Sequence, residues 1–463
     1  MEMERVSRST PFITITCCLL LIPLTYAAFL AVYKTPSQQW TGTGTGTPWF
    51  SKSPENRGQD DSLKFLLERL VTGGDREKLK ASGFACDVAP HSVVCVSNQQ
   101  VKIETGNLKV HVPISSYNQT ETETMVQPYA RQEDKALMKW ITPVHVLLQK
   151  MKTTTPVNCN YTHNVPVIVF SSGLIGNLFH EISEIVIPLF ITARHFGSGV
   201  QFMVTDYQPW FALKYNRILT QLSRYQVIDT TSNASDHCFP GAVVGLKYHG
   251  NLALNPDSIP GGHTMLEFKE FLRQTYGLKI KNAKEIDKPT LLLVSRKKSR
   301  TFENEDEMVE MMEEIGFQVV VIRKTKEMMN LDEFSKVVNS CNVMVGAHGA
   351  GLTNMVFLPQ GAVLVQVVPY ALTWASETYF GHPTMAMGLK YLEYKVVADE
   401  SSLIRSYGPN DPVIADPDSL FSRGYEAVRA IYVDGQNMTI DLSRFRATIV
   451  EALMHLQHPS PPN

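Results

Sequence analysis

Three short stretches carry residue types that could do chemistry. In "NLFHEISE", Asn177 to Glu184, His180 and Glu184 stand four apart, a spacing that puts both on one face of a helix. A histidine beside a carboxylate can act as an acid/base pair, and the same spacing also suits a plain polar pair on a half-buried helix. Glu181 lies about a hundred degrees further round the helix and is the weaker candidate. In "VSRKKSR", Val294 to Arg300, an apolar run ends in Ser295, Arg296, Lys297, Lys298 and Arg300. A diphosphate needs its charge neutralised, and arginine offers paired donors for that; taken alone, the stretch also reads as a solvated basic loop. In "VMVGAHGAGLTN", Val343 to Asn354, another apolar run ends in His348 among Gly346, Gly349, Ala350 and Gly351. Glycines permit left-handed torsions and close backbone approach. The first N–H groups of a helix starting here would lack internal partners and so attract an anion. The pattern falls short of a full G-x-G-x-x-G.

These stretches need elements to hold them. "VPVIVF" (165–170) is a strand-like run, and "GLIGNLFHEISEIVIPLFITARHF" after it has helical periodicity interrupted at Pro188. "VQFMVTD" reads as strand, "PWFALKYNRILTQLSR" as helix and "YQVID" as strand. This βαβαβ rhythm predicts a mostly parallel sheet covered on both faces. The rhythm resets near Pro260. There "MLEFKEFLRQTYG" is helix, "PTLLLVSR" strand, "ENEDEMVEMMEEIG" helix, "FQVVVI" strand, "NLDEFSKVVNS" helix, "NVMVGA" strand, "LTNMVFLP" helix and "AVLVQVV" strand. Two doubly wound units in series place a ligand in the crevice at their strand C-terminal ends, where all three stretches fall. Upstream, residues 63–81 read as one amphipathic helix and 84–160 as short strands with loops.

Compartment is read from the N-terminus. From Ser9 to Tyr33 the 463-residue chain holds no charge, a length able to cross a bilayer. Arg5 and Arg8 precede it and favour a cytoplasmic tail, residues 1–8. The reading is a single-pass type II signal anchor at 9–33, with "TYA" leaving a cleaved signal peptide as the other option. A stem over 34–83, rich in Gly, Thr, Pro and Ser, is too polar to order itself at its start. Sequons at Asn118, Asn160, Asn233 and Asn437 suit a lumen. Of seven Cys, two lie in the anchor; among the rest, Cys86 is expected to bridge Cys95, and Cys341 to stay a free thiol. A net charge of -2 argues against a nucleic-acid binder. No pattern suggests zinc. The only Asp-x-Asp, Asp416 to Asp418, lies in a Pro-rich loop and reads as a turn, so arginine and lysine would do the neutralising.

The stretches "NLFHEISE", "VSRKKSRTFENEDEM", "VGAHGAGLTNMVFLPQGAVLVQVVPY" and "YLEYKV", in this order, resemble glycosyltransferase family 61, in particular its plant xylan-modifying branch, over about residues 84 to 455. The resemblance implies an α/β, GT-B fold of two facing Rossmann-like domains. An acceptor-side domain would cover 84–260, a nucleotide-sugar domain 261–440, and a C-terminal helix and tail 441–463. It implies a type II Golgi membrane protein that is inverting and needs no metal or other cofactor. Such a protein would transfer xylose or arabinofuranose from a UDP-sugar onto xylan, as a beta-1,2-xylosyltransferase or an alpha-1,3-arabinofuranosyltransferase. The family pattern falls on Asn177, His180 and Glu184, with Glu184 or His180 as catalytic base. It also falls on Ser295, Arg296 and Arg300, and on His348, Gly349 and Ala350, with Gly351 following, for the donor. Gln366 stands where some relatives carry a Glu that could bind the ribose. Thr373 to Gly381, "TWASETYFG", is a candidate lining of the sugar pocket. Other readings are transfer onto protein N- or O-glycans and a non-catalytic Golgi scaffold subunit; a sulfotransferase would need a basic residue that "VIVFSSGLIGNLFH" lacks. Oligomeric state is left open.

Overall fold

The structure, a computed structural model, describes residues 59–114, 120–150 and 158–457. They belong to one compact unit, Arg57–Asn463. The cytoplasmic tail, the anchor at 9–33, the first half of the stem and Asn118 lie outside the described residues. Among the described residues no helix is long and apolar enough to cross a membrane.

Order reaches back into the stretch read as stem. Helices Gln59–Glu68 and Gly73–Ser82 bury Leu67, Leu70, Val71 and Leu79 completely. The single helix expected over 63–81 is therefore two. Thr72, Gly73 and Gly74 are poor helix formers and mark the break, and Arg76 Nε donates across it to the Glu68 and Val71 carbonyls at 3.2 and 3.0 Å.

The C-terminal sheet has five parallel strands in the order Gln318–Ile322, Thr290–Val294, Val343–Ala347, Val363–Val368, Lys390–Lys395. The first four follow the expected apolar runs; Lys390–Lys395, in the "YLEYKV" stretch, adds an edge. Strand side chains alternate between faces. Leu291 and Leu293 pack with Met308, Met312, Phe445 and Ile449 of the helices Glu305–Ile315 and Leu442–Gln457. Leu292 and Val294 face the opposite layer, with Phe334, Val338 and Leu352. The expected doubly wound unit is present here.

The N-terminal part differs from a second such unit. One sheet runs Phe84–Val88, Val93–Ser97, Ala242–Val244, Val167–Ser171, Gln201–Thr205, Ile228–Asp229. Its last four strands are parallel, and the first two join antiparallel. Helices cover one face, burying Ile168, Phe170 and Phe202. The other face packs on a second six-stranded sheet, Val167, Val169 and Met203 meeting Ile103, Val110, Val112 and Val146. The parallel sheet expected from residue 165 on is present, but helices cover only one of its faces, which corrects the reading of this part as a second doubly wound unit. Residues 101–149 form short strands, such as Val101–Glu104 and Lys109–Pro113, that alternate buried and half-buried side chains and so offer one apolar face, with which they cover the sheet.

The helices of the two parts share a core. Met265–Tyr276 starts with a Thr264/Glu267 capping box and ends at Gly277 in the left-handed region. Its Phe268 and Phe271 meet Phe190, and its Tyr276 meets Phe357, at ring distances of 5.1 to 5.5 Å. Cys86 bridges Cys95, its partner in strand register; Cys159 bridges Cys238, and Cys341 is free and buried. Asp416 is exposed at the junction of the helices Pro412–Ala415 and Pro417–Phe421, and Asp418, also exposed, lies in the first turn of the second helix, so the expected turn holds for Asp416 alone.

Candidate active site

Asn177 caps its helix by accepting from the Phe179 amide at 3.0 Å, and the helix then changes register. Leu178–His180 is α, Glu181–Val186 is π, and Ile187–Ala193 is α again. Pro188 explains this. It has no N–H for the carbonyl of Glu184, and its ring would clash with it, so one widened turn precedes it and the Ile187 amide reaches Ile182 instead. The interruption seen in the sequence is a π-turn, and it carries Glu184.

Glu184 is completely buried and has three charge-favouring partners. His180 Nδ1 lies 2.7 Å and Arg131 Nη1 3.0 Å from its Oε1, and the Tyr129 hydroxyl donates to its Oε2 at 2.7 Å. Burial first, and Glu184 second, hold the Tyr129 phenol well above its usual range. Burial opposes the Arg131 charge, but Glu184 outweighs it and its pKa rises. With its proton on Nδ1, the half-buried His180 donates to Glu184 and leaves Nε2 as an acceptor with no hydrogen bond among the described residues. Glu181 has a different role. Completely buried, it accepts from the Gly176 amide at 2.7 Å and the Tyr215 hydroxyl at 2.6 Å and pairs with Lys214, tying the loop before the helix.

The anion side is built on the C-terminal sheet. Arg300 is 7% exposed and holds a left-handed φ of 55°. Its amide donates to the Gln436 carbonyl at 2.6 Å and its Nη1 to the His348 carbonyl at 2.8 Å. Arg296 Nε donates to the Ser299 carbonyl at 2.9 Å. Neither guanidinium has an ion-pair partner among the described residues; Asp434, which favours both charges, pairs with Arg429 at 3.1 Å. Burial lowers the Arg296 pKa, and burial with Arg296 alongside brings Arg300 down to about 10. A buried and a half-buried guanidinium side by side, with no ion-pair partner among the described residues, are costly, and a bound anion would relieve both. Lys297 and Lys298 are exposed, and Ser295 is half-buried with its amide on the Ile322 carbonyl.

Gly349 (φ 148°) leads into a 3₁₀ helix, Ala350–Phe357, where an α-helix was expected; the Leu352 amide bonds three residues back, to Gly349. A Cβ on Gly349 would stand 2.4 Å from Arg296 Nη1, and one on Gly351 2.9 Å from Val294. Burial, then Arg300 and Arg296, push the His348 ring down to about 3, so it is neutral. Gln366 is completely buried beside that ring. Where a ribose contact was the expectation, the side chain has no exposed surface.

The two halves of the site meet through aromatic rings of the π-turn Glu377–Gly381. Phe179, next to His180, lies 5.2 Å from Tyr379, and His348 lies 5.5 Å from Phe380 and 6.0 Å from Tyr379. The stretch 373–381 thus separates the acid/base pair from the glycine turn. Tyr129 and Arg131 escaped the sequence reading: a lone Tyr and Arg in a loop carry no spacing signal. Of the sequons, Asn160 and Asn233 are exposed, and Asn437 is half-buried, its Oδ1 accepting from the Thr301 amide.

Fold and site together define an α/β protein with an anion cradle facing a His–Glu pair. A family model described as Glycosyltransferase 61 matches residues 178–365, the span holding His180, Glu184, Arg296, Arg300 and His348. A xylan glycosyltransferase of Arabidopsis thaliana is 34% identical over 425 residues, covering 85% of this chain and 84% of that protein. A beta-1,2-xylosyltransferase of Oryza sativa subsp. japonica is 36% identical over 340 residues, 72% of each. An alpha-1,3-arabinosyltransferase of the same rice is 37% identical over 365 residues, 76% of this chain; the chain spans 62% of that protein's length. The chain belongs to glycosyltransferase family 61.

Proposed function

We propose that this protein is an inverting, metal-independent glycosyltransferase of GT-B arrangement. It moves xylose or arabinofuranose from a UDP-sugar to xylan, with the acceptor on the N-terminal sheets and the donor on the C-terminal one. The observation that carries this is the pair Arg296 and Arg300, which lack a counter-charge and lie across Tyr379 and Phe380 from His180 and Glu184. The names of the relatives support both the pentose and the xylan.

The acceptor hydroxyl attacks C1 of the sugar as His180 Nε2 takes its proton. The bond from C1 to the phosphate oxygen breaks, and UDP leaves from the opposite face, which inverts the anomeric centre. Arg296, Arg300 and the N–H groups after His348 hold the charge that develops on the diphosphate. Glu184 has both oxygens occupied and no exposed surface, so its part is to hold the ring and stabilise the imidazolium, with Tyr129 and Arg131 positioning it. His348 stays neutral and contributes hydrogen bonding only. The uncharged run 9–33 supports a type II anchor in the Golgi membrane with the described residues luminal.

The test is a donor screen. The purified full-length chain is incubated with xylo-oligosaccharides and UDP-xylose or UDP-arabinofuranose in turn. Mass spectrometry is expected to find one pentose gained from one of them. UDP binding without gain from either would overturn the reading in favour of a silent subunit or another acceptor.

A further inference from the structure

Three tryptophans fall among the described residues, Trp140, Trp210 and Trp374, and all three are exposed, by 78%, 37% and 47%. Tryptophan is ordinarily among the more buried residues. Trp374 lies 6.4 Å from Tyr379, ring to ring. The other two, Trp140 in a turn and Trp210 in a short helix, lie on segments tied together by one residue. Asp206, at a left-handed φ of 52°, follows the strand Gln201–Thr205. Its carboxylate accepts from the Thr142 amide at 3.2 Å, from the Thr142 hydroxyl, and from the Ser171 hydroxyl at 2.6 Å; its carbonyl accepts from the Ser172 hydroxyl. By chain reach, Trp140 lies within roughly 7 Å of Thr142 and Trp210 within roughly 14 Å of Asp206.

Each tryptophan is also tethered to the acid/base pair. The helix Pro209–Lys214, which carries Trp210, ends on the ion pair between Lys214 and Glu181, next to His180. The helix Lys135–Met138, just before Trp140, is capped by Asp134, which pairs with Arg131, the partner of Glu184. Leu174, 37% exposed, lies on the loop between. Trp140 and Trp210 are thus exposed on segments anchored at the C-terminal ends of the parallel strands Val167–Ser171 and Gln201–Thr205, and each segment is bonded to a neighbour of His180.

We infer that Trp140 and Trp210 form a subsite for the pyranose rings of a neutral polysaccharide acceptor, flanking the ring that is glycosylated. A pyranose presents a face of C–H groups and keeps its hydroxyls at the edge. Stacking on an indole removes apolar surface from water without desolvating the hydroxyls. Tethering through Asp206 fixes the backbone next to both rings, so less ordering is needed when the chain binds. The subsite makes the protein prefer acceptors long enough to reach it. This rests on the acceptor proposed above being a polysaccharide.

Two measurements on the full-length chain separate the two readings. Affinity electrophoresis in gels holding soluble xylan, without donor, reads acceptor binding alone, and transfer to xylo-oligosaccharides of increasing length reads KM. Trp140→Ala and Trp210→Ala should each reduce retardation and raise KM for long acceptors roughly fivefold to tenfold. UDP affinity should hold, and Trp140→Phe should restore most of the loss. Transfer with unchanged retardation and KM in both alanine variants would overturn the subsite and leave the enzyme reading intact. Tryptophan-dependent retardation without any transfer would keep the subsite and overturn the enzyme reading. Absence of retardation in the unsubstituted protein would overturn the subsite.

Discussion

Arg300 donates from Nη1 to the main-chain carbonyl of His348 at 2.8 Å, so the basic loop after one strand is bonded to the glycine turn after its neighbour. Strands Thr290–Val294 and Val343–Ala347 are adjacent and parallel, and parallel neighbours bring their C-terminal ends to one edge. Two motifs about fifty residues apart in sequence become one cradle.

Gly349 is the tightest point of that cradle. Gly349→Ala puts a Cβ against Arg296 Nη1 and must move the guanidinium. UDP affinity, measured by calorimetry, should fall about tenfold or more, and Arg296→Ala with Arg300→Ala should abolish binding, since charge-assisted hydrogen bonds contribute about 1.5–3 kcal/mol each. UDP binding retained by the double variant would sink the assignment.

His180 and Glu184 should separate in kind. His180→Ala should lower kcat by roughly 10²–10⁴ and leave UDP affinity unchanged. Glu184→Gln leaves Arg131 beside a neutral buried amide and should destabilise the fold by roughly 3–5 kcal/mol, seen in denaturant melts. A folded, stable Glu184→Gln protein would show that the buried pair matters less than its geometry suggests.

With arginine neutralising the diphosphate, an excess of EDTA should leave turnover intact. Loss of activity on chelation, restored by a divalent ion, would refute the metal-free reading.

Acid should weaken the fold. Burial pushes His348 and His195 down to about 3, and burial with Lys247 pushes His249 to about 4. These rings stay neutral when folded and take a proton when unfolded below about pH 6.5. The unfolded state then binds more protons, so stability is complete above pH 6.5 and is lost as pH falls from there towards 4. Their joint loss at pH 5.5 is roughly 2–4 kcal/mol. Scanning calorimetry should show Tm falling between pH 7 and 5; a flat or rising Tm contradicts the assignment.

Lys269 is buried against the shared helix layer, where its ammonium donates to the Met387 carbonyl at 3.2 Å, and burial lowers its pKa to about 7. With no carboxylate beside it, Lys269→Met should stabilise the fold by ~1–4 kcal/mol at pH 6, with a smaller gain at pH 9, where the folded lysine is already neutral. A loss of stability at pH 6 would mean that the ammonium has a partner worth more than its burial.

The doubly wound C-terminal unit was legible because its signals are local. Apolar runs such as "TLLLV" and "VMVGA" alternate with helical periods, and each run ends in the residues that line the edge. His180, Glu184, Arg296, Arg300 and His348 were found the same way, from spacing within one element. The N-terminal half was less legible. Short alternating strands specify one apolar face each but not what covers it, and the partner proved to be a second sheet.

Sequence by itself determined the strand order of motifs, the Pro188 interruption, the Cys86–Cys95 bridge and the candidates for acid/base and anion chemistry, because each depends on residues close along the chain. Tertiary structure alone decided that Glu184 is saturated by Tyr129 and Arg131, 55 and 53 residues upstream, and that Gln366 is completely buried beside His348. It also decided that Arg296 and Arg300 pair with no carboxylate among the described residues. Burial and pairing arise where distant segments meet, and no local pattern of side chains encodes which segments those are.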